Sequence, residues 1–392
     1  MFESMFAEKM RNLGTESAFV VFARAKQLEA EGHDVIHFEI GEPDFDTPAN
    51  IIRAAEKALN SGYTHYTPAA GIPAVREAIA GYIKDYKGVE TNIDEIVIVP
   101  GGKPIMFFTI MALVNPGDEV LYPDPGFPIY ESVIRFVGGV PVPLPIREEN
   151  GFRLDVAELR KKISPKTKLL ILNSPANPTG GVLTGEDVRG IADAVRGKNI
   201  FVLSDEIYDR IIYEGQPVSI ASMPGMKDWT IILDGFSKTY AMTGWRLGYG
   251  VMHHELADKV TQLMINSNSC TAAFIQMAGM EALTGPQDEA GRMVVEFKKR
   301  RDIMVEGMNS IKGIRCAKPQ GAFYVFPNIT GTGMSSDELS TYLLNDAKVA
   351  TLSGTAFGRY GEGYLRLSYA NSVENIERAL ERLNKAVTQL LR

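Results

Sequence analysis

The chain has 392 residues and a formal net charge of −7, with 41 Lys and Arg against 48 Asp and Glu. That surplus of acid argues against nucleic acid as a main partner, because phosphate binding draws on clustered Lys and Arg, and no basic run or interleaved aromatic platform offsets it. The length favours two or more domains. No membrane span is expected, since the most apolar stretch, residues 104–114, is about half the length that a bilayer requires.

The N-terminus mixes Glu3, Glu8, Lys9 and Arg11 with apolar residues and lacks the apolar core of a secretion signal, which points to the cytoplasm. Two cysteines, Cys270 and Cys316, fit a reducing compartment and cannot build a disulfide framework. The five histidines, His33, His37, His65, His253 and His254, show no metal-ligand spacing, so no metal is expected. Adjacent His253 and His254 point in different directions on a helix or a strand and read as surface.

Apolar residues at Phe19, Val20, Phe22 and Leu28 predict a helix over 17–32, followed by a strand over 35–40. Gly41 ends that strand and makes the turn before Pro43. Thr47 and Pro48 open a helix that runs to about residue 60, where Gly62 stops it. Tyr66 reads as a loop aromatic. A strand over 95–99 then leads through Pro100, Gly101, Gly102 and Lys103 into a helix. Strand, glycines and helix in that order aim free backbone N–H groups at an anion, and the helix dipole adds to the attraction. Pro104 has no N–H to give, so Gly102 and Lys103 are the expected donors. A pair of glycines is by itself a weak signal.

After a turn at 115–118, a strand over 119–122 ends in PDPGFPIY, whose Phe127 taken alone is a core residue. A strand over 140–144 and a helix over 155–162 carry no evident chemistry. The strand over 168–172 gives NSPANPTG, where Asn177 either donates to an anion or builds a turn with Pro178 and Gly180. A helix over 184–195 leads to FVLSDEIYDR (201–210), an apolar strand that stops at Asp205 with Tyr208 close behind. DGFSKTYAMTGWRLGY (234–249) has the same form, presenting Lys238 and then Arg246.

Strand, helix, strand recurs from about 95 to 251, which implies a parallel sheet between helix layers. Ligands bind beyond the carboxyl ends of such strands, so the polar clusters after Val99, Leu172, Leu203 and Leu233 share one edge. A lone lysine is ordinarily a solvated loop residue. Beside Asp205 at that edge, a lysine drawn out of water becomes a neutral nucleophile that can form a Schiff base with a carbonyl. A ring with a pyridinium nitrogen at one end and an aldehyde near the other, pyridoxal 5'-phosphate, would use both groups, the acid keeping the nitrogen protonated.

Beyond Gly250, helices are predicted from 255 to about 284. GPQ (285–287) breaks them, and a long, charged helix over 288–310 links the domains. Residues 311–392 mix short strands (322–326, 349–352, 364–368) with two helices. Arg366 sits among apolar neighbours in YLRLSYA. Its charge cannot be removed, so it needs an anion, from a structural ion pair or from a ligand.

GEPDF (41–45), Tyr66, PGGK (100–103), NSPANPTG (173–180), SDEIY (204–208), SKTYAMTGWRLGY (237–249) and YLRLSYA (364–370) together resemble the class I aminotransferases of the fold type I pyridoxal-phosphate enzymes. Any one string could arise by chance; all of them in the family's order are specific. The resemblance implies an α/β fold: a large domain over 41–285 with a mostly parallel sheet between helix layers. A smaller α+β domain would be formed by 1–40 and 286–392. It implies that Lys238 holds the cofactor and moves the Cα proton, that Asp205 serves the ring nitrogen and that Tyr208 donates to the ring oxygen. Gly101, Gly102, Lys103, Ser237 and Arg246 would hold the phosphate, and Phe127 would stack on the ring. Asn177 would touch both cofactor and substrate, Arg366 would grip the substrate α-carboxylate, and the Gly41 backbone would lie beside it. Tyr66 would reach the cofactor phosphate of a second subunit, which implies a homodimer with shared sites. In acidic-substrate relatives a lysine in the GGK context pairs with the distal carboxylate, and Ser17 lies in the segment that covers the site. These favour aspartate or glutamate as donor, with 2-oxoglutarate as acceptor. Alanine, aromatic or branched-chain substrates are rivals, and carbon-sulfur lyases share nearly all these residues. The chain departs from commoner family versions in having Pro104 where they carry a polar residue.

Overall fold

The computed structural model describes residues 5–392. In chain order its regular elements begin with α1 (Ser17–Ala30), β1 (Ile36–His37), α2 (Ala49–Asn60), α3 (Pro73–Lys87), β2 (Ile96–Val99) and α4 (Lys103–Leu113). Next come β3 (Glu119–Asp124), α5 (Ile129–Phe136), β4 (Val140–Pro145), α6 (Val156–Lys162), β5 (Thr167–Asn173), α7 (Gly185–Val195) and β6 (Phe201–Asp205). They are followed by β7 (Thr230–Gly235), β8 (Gly248–Val251), α8 (His254–Ser267), α9 (Ala273–Thr284) and α10 (Asp288–Ser310). The chain ends with β9 (Tyr324–Val325), α11 (Ser336–Tyr342), β10 (Val349–Ala350), β11 (Leu352–Ser353), β12 (Leu365–Ser368) and α12 (Val373–Leu390).

Seven strands form one sheet in the order β2-β8-β7-β6-β5-β3-β4. Its central strands are apolar throughout because both faces are covered. Along β2, Val97 and Val99 pack on one face with Ile105 and Met106 of α4 and Val260 of α8. Ile96 and Ile98 pack on the other with Ile79 and Ile83 of α3 and Ala278 of α9. Strand β5 divides likewise, Leu169 and Ile171 to the first face, Leu170 and Leu172 toward Val188 and Ile191 of α7. Period-two alternation in continuously apolar strands thus builds two helix layers around one sheet. The turns follow local chemistry: Thr184 and Asp187 cap the start of α7 reciprocally, and Gly88, at φ +69°, ends α3.

The sheet is mostly parallel, as expected; its exception is β8, which runs antiparallel between β2 and β7. The chain reaches it from β7 through the loop that holds Lys238 and Arg246, with no helix to carry it back across the sheet, so it returns in the opposite direction. Helices α3 and α5 went unpredicted, while the helices expected from 255 to about 284 are two, α8 and α9, separated at 268–272. The strand expected over 35–40 is paired only at Ile36 and His37, since its partner β10 is two residues long. Strand 349–352 divides into β10 and β11, which join different sheets.

β11, β12 and β9 form a small antiparallel sheet, packed with α10 and α12 around Phe38, Phe297, Met304, Phe323, Leu367, Ile376 and Leu383. Tyr208 and Ile211, which follow β6, enter the same core and anchor it beside the carboxyl edge of the large sheet.

Candidate active site

Strands β5, β6 and β7 lie side by side and parallel, with Asn173 opposite Asp205 and Asp205 opposite Leu233. Because β8 is antiparallel to both β7 and β2, the carboxyl end of β2 falls on the same edge. At that edge opens a cleft of about 490 Å³, roofed by Arg366 and Tyr324 from the small sheet and by the start of α1. Gly41, Gly102, Lys103, Phe127, Asn177, Asp205, Tyr208, Ser237, Lys238, Arg246 and Arg366 all line it.

Lys238 is half-buried, and its Nζ donates to the carbonyl of Gly41 and stands 5.8 Å from the centroid of the Tyr208 ring. Burial above all lowers its pKa to about 8; Glu42 acts against that, while Arg366, Lys103 and Arg246 push the same way as burial. An amine held there spends an appreciable fraction of its time neutral near physiological pH, so it can act as nucleophile and base. Asp205 accepts from the Tyr130 hydroxyl at 2.5 Å and from the Ile207 N–H at 3.3 Å. Burial raises its pKa to about 6 against those hydrogen bonds. A cation placed beside this carboxylate would bring the value back down.

Gly101 (φ +86°) leaves room that a Cβ would fill: one built there collides with the guanidinium of Arg246. The absent side chain lets Arg246 lie against the first turn of α4, whose free N–H groups and dipole favour an anion. Arg246 also adopts φ +56° and donates to the Thr243 carbonyl at 2.8 Å. Gly41 serves a similar purpose, because a Cβ there would strike the Tyr324 hydroxyl. Loop 41–48 is tied to loop 236–247 at several points: Thr243 donates to Glu42, Thr47 to the Ala241 carbonyl at 2.6 Å, and Trp245 to Thr47 at 2.9 Å.

Arg366 is 4 % exposed. Its Nη2 donates to the Glu39 carbonyl, its Nη1 reaches Asn177 Oδ1 at 3.4 Å, and its Nε has no partner among the described residues. It lies over the Tyr324 and Phe357 rings, and burial lowers its pKa. A buried guanidinium with an idle donor, in a cleft with no carboxylate bonded to it, is arranged to take one from outside.

Three nominated residues do not line the cleft: Gly101, against which Arg246 lies, Ser17 and Tyr66. Ser17 does not line the cleft, although Glu16 and Ala18 do; the backbone at Glu16 is extended, so successive side chains leave on opposite sides. Tyr66 is 89 % exposed and outside the cleft. Sequence reasoning missed Tyr130, which orients Asp205, and Tyr324, whose hydroxyl meets that of Tyr208 at 2.6 Å. It also missed Asn173, which donates to the Asp205 carbonyl at 3.2 Å and accepts from the Asn177 N–H at 2.8 Å. Glu16 and Glu42 were overlooked as well. Beneath the edge, the buried Nζ of Lys87 pairs with Glu206 at 2.8 Å, with Asp234 at 3.2 Å and with Asp209. Burial alone would lower the Lys87 pKa; the three carboxylates outweigh it and hold it well above its ordinary value. No signal of spacing or composition marks these residues.

A sequence model of the family described as aminotransferase class I and II matches residues 33–383. The chain belongs to that family. This aminotransferase is 44 % identical over 374 residues to an aspartate aminotransferase of Pyrococcus horikoshii, covering 94 % of this chain and 93 % of the relative. Its fold superposes with a TM-score of 0.94 on the aspartate aminotransferase of Rhizobium meliloti, at 36 % identity and 98 % coverage of each chain. It superposes at 0.89 on an aromatic aminotransferase of Pyrococcus horikoshii, at 41 % identity, covering 93 % of this chain and 99 % of the other. Among the described residues no helix is long and apolar enough to cross a membrane, and no group of three or more His, Cys, Asp or Glu could hold a metal ion.

Proposed function

We propose that the cleft binds pyridoxal 5'-phosphate and that the enzyme moves an amino group between an L-amino acid and a 2-oxo acid, with aspartate or glutamate as donor and 2-oxoglutarate as acceptor. The observation that carries the reading is the pairing of Lys238 and Asp205. An amine whose pKa is lowered to about 8, in the loop that follows β7, and a carboxylate held by Tyr130, at the end of the adjacent parallel strand β6, face one cleft. When bound, the cofactor supplies an aldehyde for the amino group and a ring that stabilises negative charge at Cα.

The residues present fit such a group. Asp205 keeps a proton on the ring nitrogen, and Tyr130 and the Ile207 N–H keep the carboxylate in place for it. The N–H groups of Gly102 and Lys103, with Ser237 and Arg246, hold the phosphate at the N-terminus of α4, where Gly101 gives Arg246 its room. Phe127 would offer the ring a flat apolar face, and the Tyr208 hydroxyl, in contact with that of Tyr324, would be free to donate to the ring oxygen where Tyr324 is its donor. Arg366, through its unpaired Nε, and Asn177 fix the substrate α-carboxylate beside the Gly41 backbone. That clamp would hold the substrate Cα–H bond within reach of Lys238, whose Nζ, neutral for part of the time, would take the proton.

The exposed Tyr66 supports a homodimer in which it serves the second copy's phosphate. The division into a large body over 41–285 and a small one over 1–40 and 286–392 is part of the same proposal. It is supported by a core that joins Ile36 and Phe38 to Phe297, Tyr324 and Leu367. A cytoplasmic enzyme would keep Cys270 and Cys316 reduced.

The names of the relatives support the acidic-substrate preference, and the presence of an aromatic aminotransferase among them keeps aromatic donors in view. The test is to add single amino acids to purified holoenzyme and follow the cofactor absorbance. Aspartate and glutamate should bleach it, and 2-oxoglutarate should restore it. Release of pyruvate and ammonia from cysteine conjugates without amino transfer would identify a carbon-sulfur lyase instead.

A further inference from the structure

The two cations at the substrate end of the cleft are not equivalent. Arg366 is buried and keeps an unpaired donor. Lys103, with its side chain 50 % exposed at the mouth and its Nζ 5.3 Å from the Phe127 ring centroid, is already in an ion pair with Glu16. Glu16 occupies the N-cap position of α1, where a short polar side chain such as Asp or Ser would accept from the first free N–H groups. It makes no such bond, and its carboxylate, 18 % exposed, turns into the cleft toward Lys103. A substrate with one carboxylate therefore meets an available Arg366, whereas a substrate with two meets a lysine that is taken.

We propose that Glu16 is a specificity-determining residue: its pair with Lys103 is a charge gate, left closed by neutral and aromatic side chains and opened when a distal carboxylate displaces Glu16. The exchange conserves charge at Lys103, since one carboxylate leaves as another arrives, and Glu16 at the mouth has solvent to turn into. With the gate closed, the wall facing an apolar side chain is a neutralised pair beside the Phe127 ring rather than a bare ammonium. One site can thereby take an acidic partner and a non-acidic one in alternate half-reactions. The inference rests on the transaminase reading above and adds to it the residue that sets substrate class.

The test compares wild-type holoenzyme with Glu16→Gln, Glu16→Ala and Lys103→Met. The probes are maleate, a dicarboxylate with no amino group to transfer, and 3-phenylpropionate, an aromatic monocarboxylate, with binding read by calorimetry. Removing the competing carboxylate should tighten maleate about 2- to 5-fold, the range that one partly exposed ion pair spans. 3-Phenylpropionate should change by less than about 2-fold. Lys103→Met should weaken maleate more in the Glu16→Gln background than alone, because only there is the ammonium free to begin with. Unchanged or weaker maleate binding in both Glu16 variants, or equal shifts for the two probes, overturns the gate. If maleate follows the expected pattern but no amino acid bleaches the cofactor, the gate stands and the transaminase reading fails. If amino acids react normally while maleate binding ignores Glu16, the reading stands and the gate fails.

Discussion

The two ends of the cleft are built differently. At the ring end, Asp205 terminates a central strand, Tyr130 and Ile207 hold its oxygens, and the Lys87 cluster lies buried beneath. At the mouth, Lys103 and Glu16 come from the first turn of one helix and the cap of another, and Lys103 is half in solvent. A group on a covered sheet holds its position because moving it would disturb packing on both faces. A group at a helix terminus can turn at little cost. The difference teaches that the proposed chemistry is fixed by the sheet, while choice of substrate is left to parts that can move.

The sharpest way to break this contrast is at the ring end. Lys238→Ala should lower kcat by roughly 10⁴-fold, because it removes both the anchoring amine and the base. Purified variant and wild type, compared in single-turnover assays, decide it; retained turnover would mean that the proton moves elsewhere. Asp205→Asn should cost about 10²- to 10³-fold in kcat with a smaller change in KM, as expected when a preorganised charge at the ring is lost. A change confined to KM would place Asp205 in binding alone.

Lys87→Met probes the support beneath. It leaves three buried carboxylates without their cation, and breaking such a cluster costs about 3–5 kcal/mol of stability. Denaturant unfolding of the variant should show that loss, whereas Lys103→Met at the mouth should stay within about 1 kcal/mol of wild type. Equal effects would erase the distinction between the two ends.

The smallest effect is on pH dependence. In cofactor-free protein Lys238 has a pKa of about 8, below its ordinary 10.5, so the unfolded chain binds more protons between those values. Stability therefore rises as pH increases from about 8 toward 10.5, and Lys238→Met should flatten that rise. Asp205 acts in the opposite sense. Its folded pKa of about 6 exceeds the ordinary 3.8, so the folded state binds more protons between them and stability falls as pH rises through that window. Asp205→Asn should remove this fall. Melting temperatures across pH 4–10.5 measure both slopes, and parallel curves for wild type and variants would contradict the assigned shifts.

Much of this was legible in the sequence for a local reason. A strand that ends in a polar residue advertises where its side chain will emerge, and repetition at Val99, Leu172, Leu203 and Leu233 was enough to predict a shared edge. Asn177, Asp205, Lys238 and Arg366, which share the cleft, were nominated that way or by resemblance. What could not be read lies far along the chain: Tyr130 meets Asp205 across 75 residues, Tyr324 meets Tyr208 across 116, and Lys87 meets Glu206 across 119. Each looks like an ordinary core tyrosine or surface lysine until the sheet folds. The reversal of β8 was hidden for a related reason, since a four-residue apolar run gives no sign of its direction. Glu16 and Ser17 show the finest limit: the segment borders the cleft, but which of two neighbours faces inward depends on the backbone dihedral angles at one residue.

The central claim is that one amine and one carboxylate bracket a single ring. Borohydride reduction of the purified holoenzyme, followed by peptide mass mapping, tests it most directly. The account predicts the cofactor's mass on the peptide that contains Lys238, and its loss in Lys238→Ala. A cofactor adduct on another lysine, Lys103 above all, or no covalent adduct in a protein that still transaminates, would contradict it.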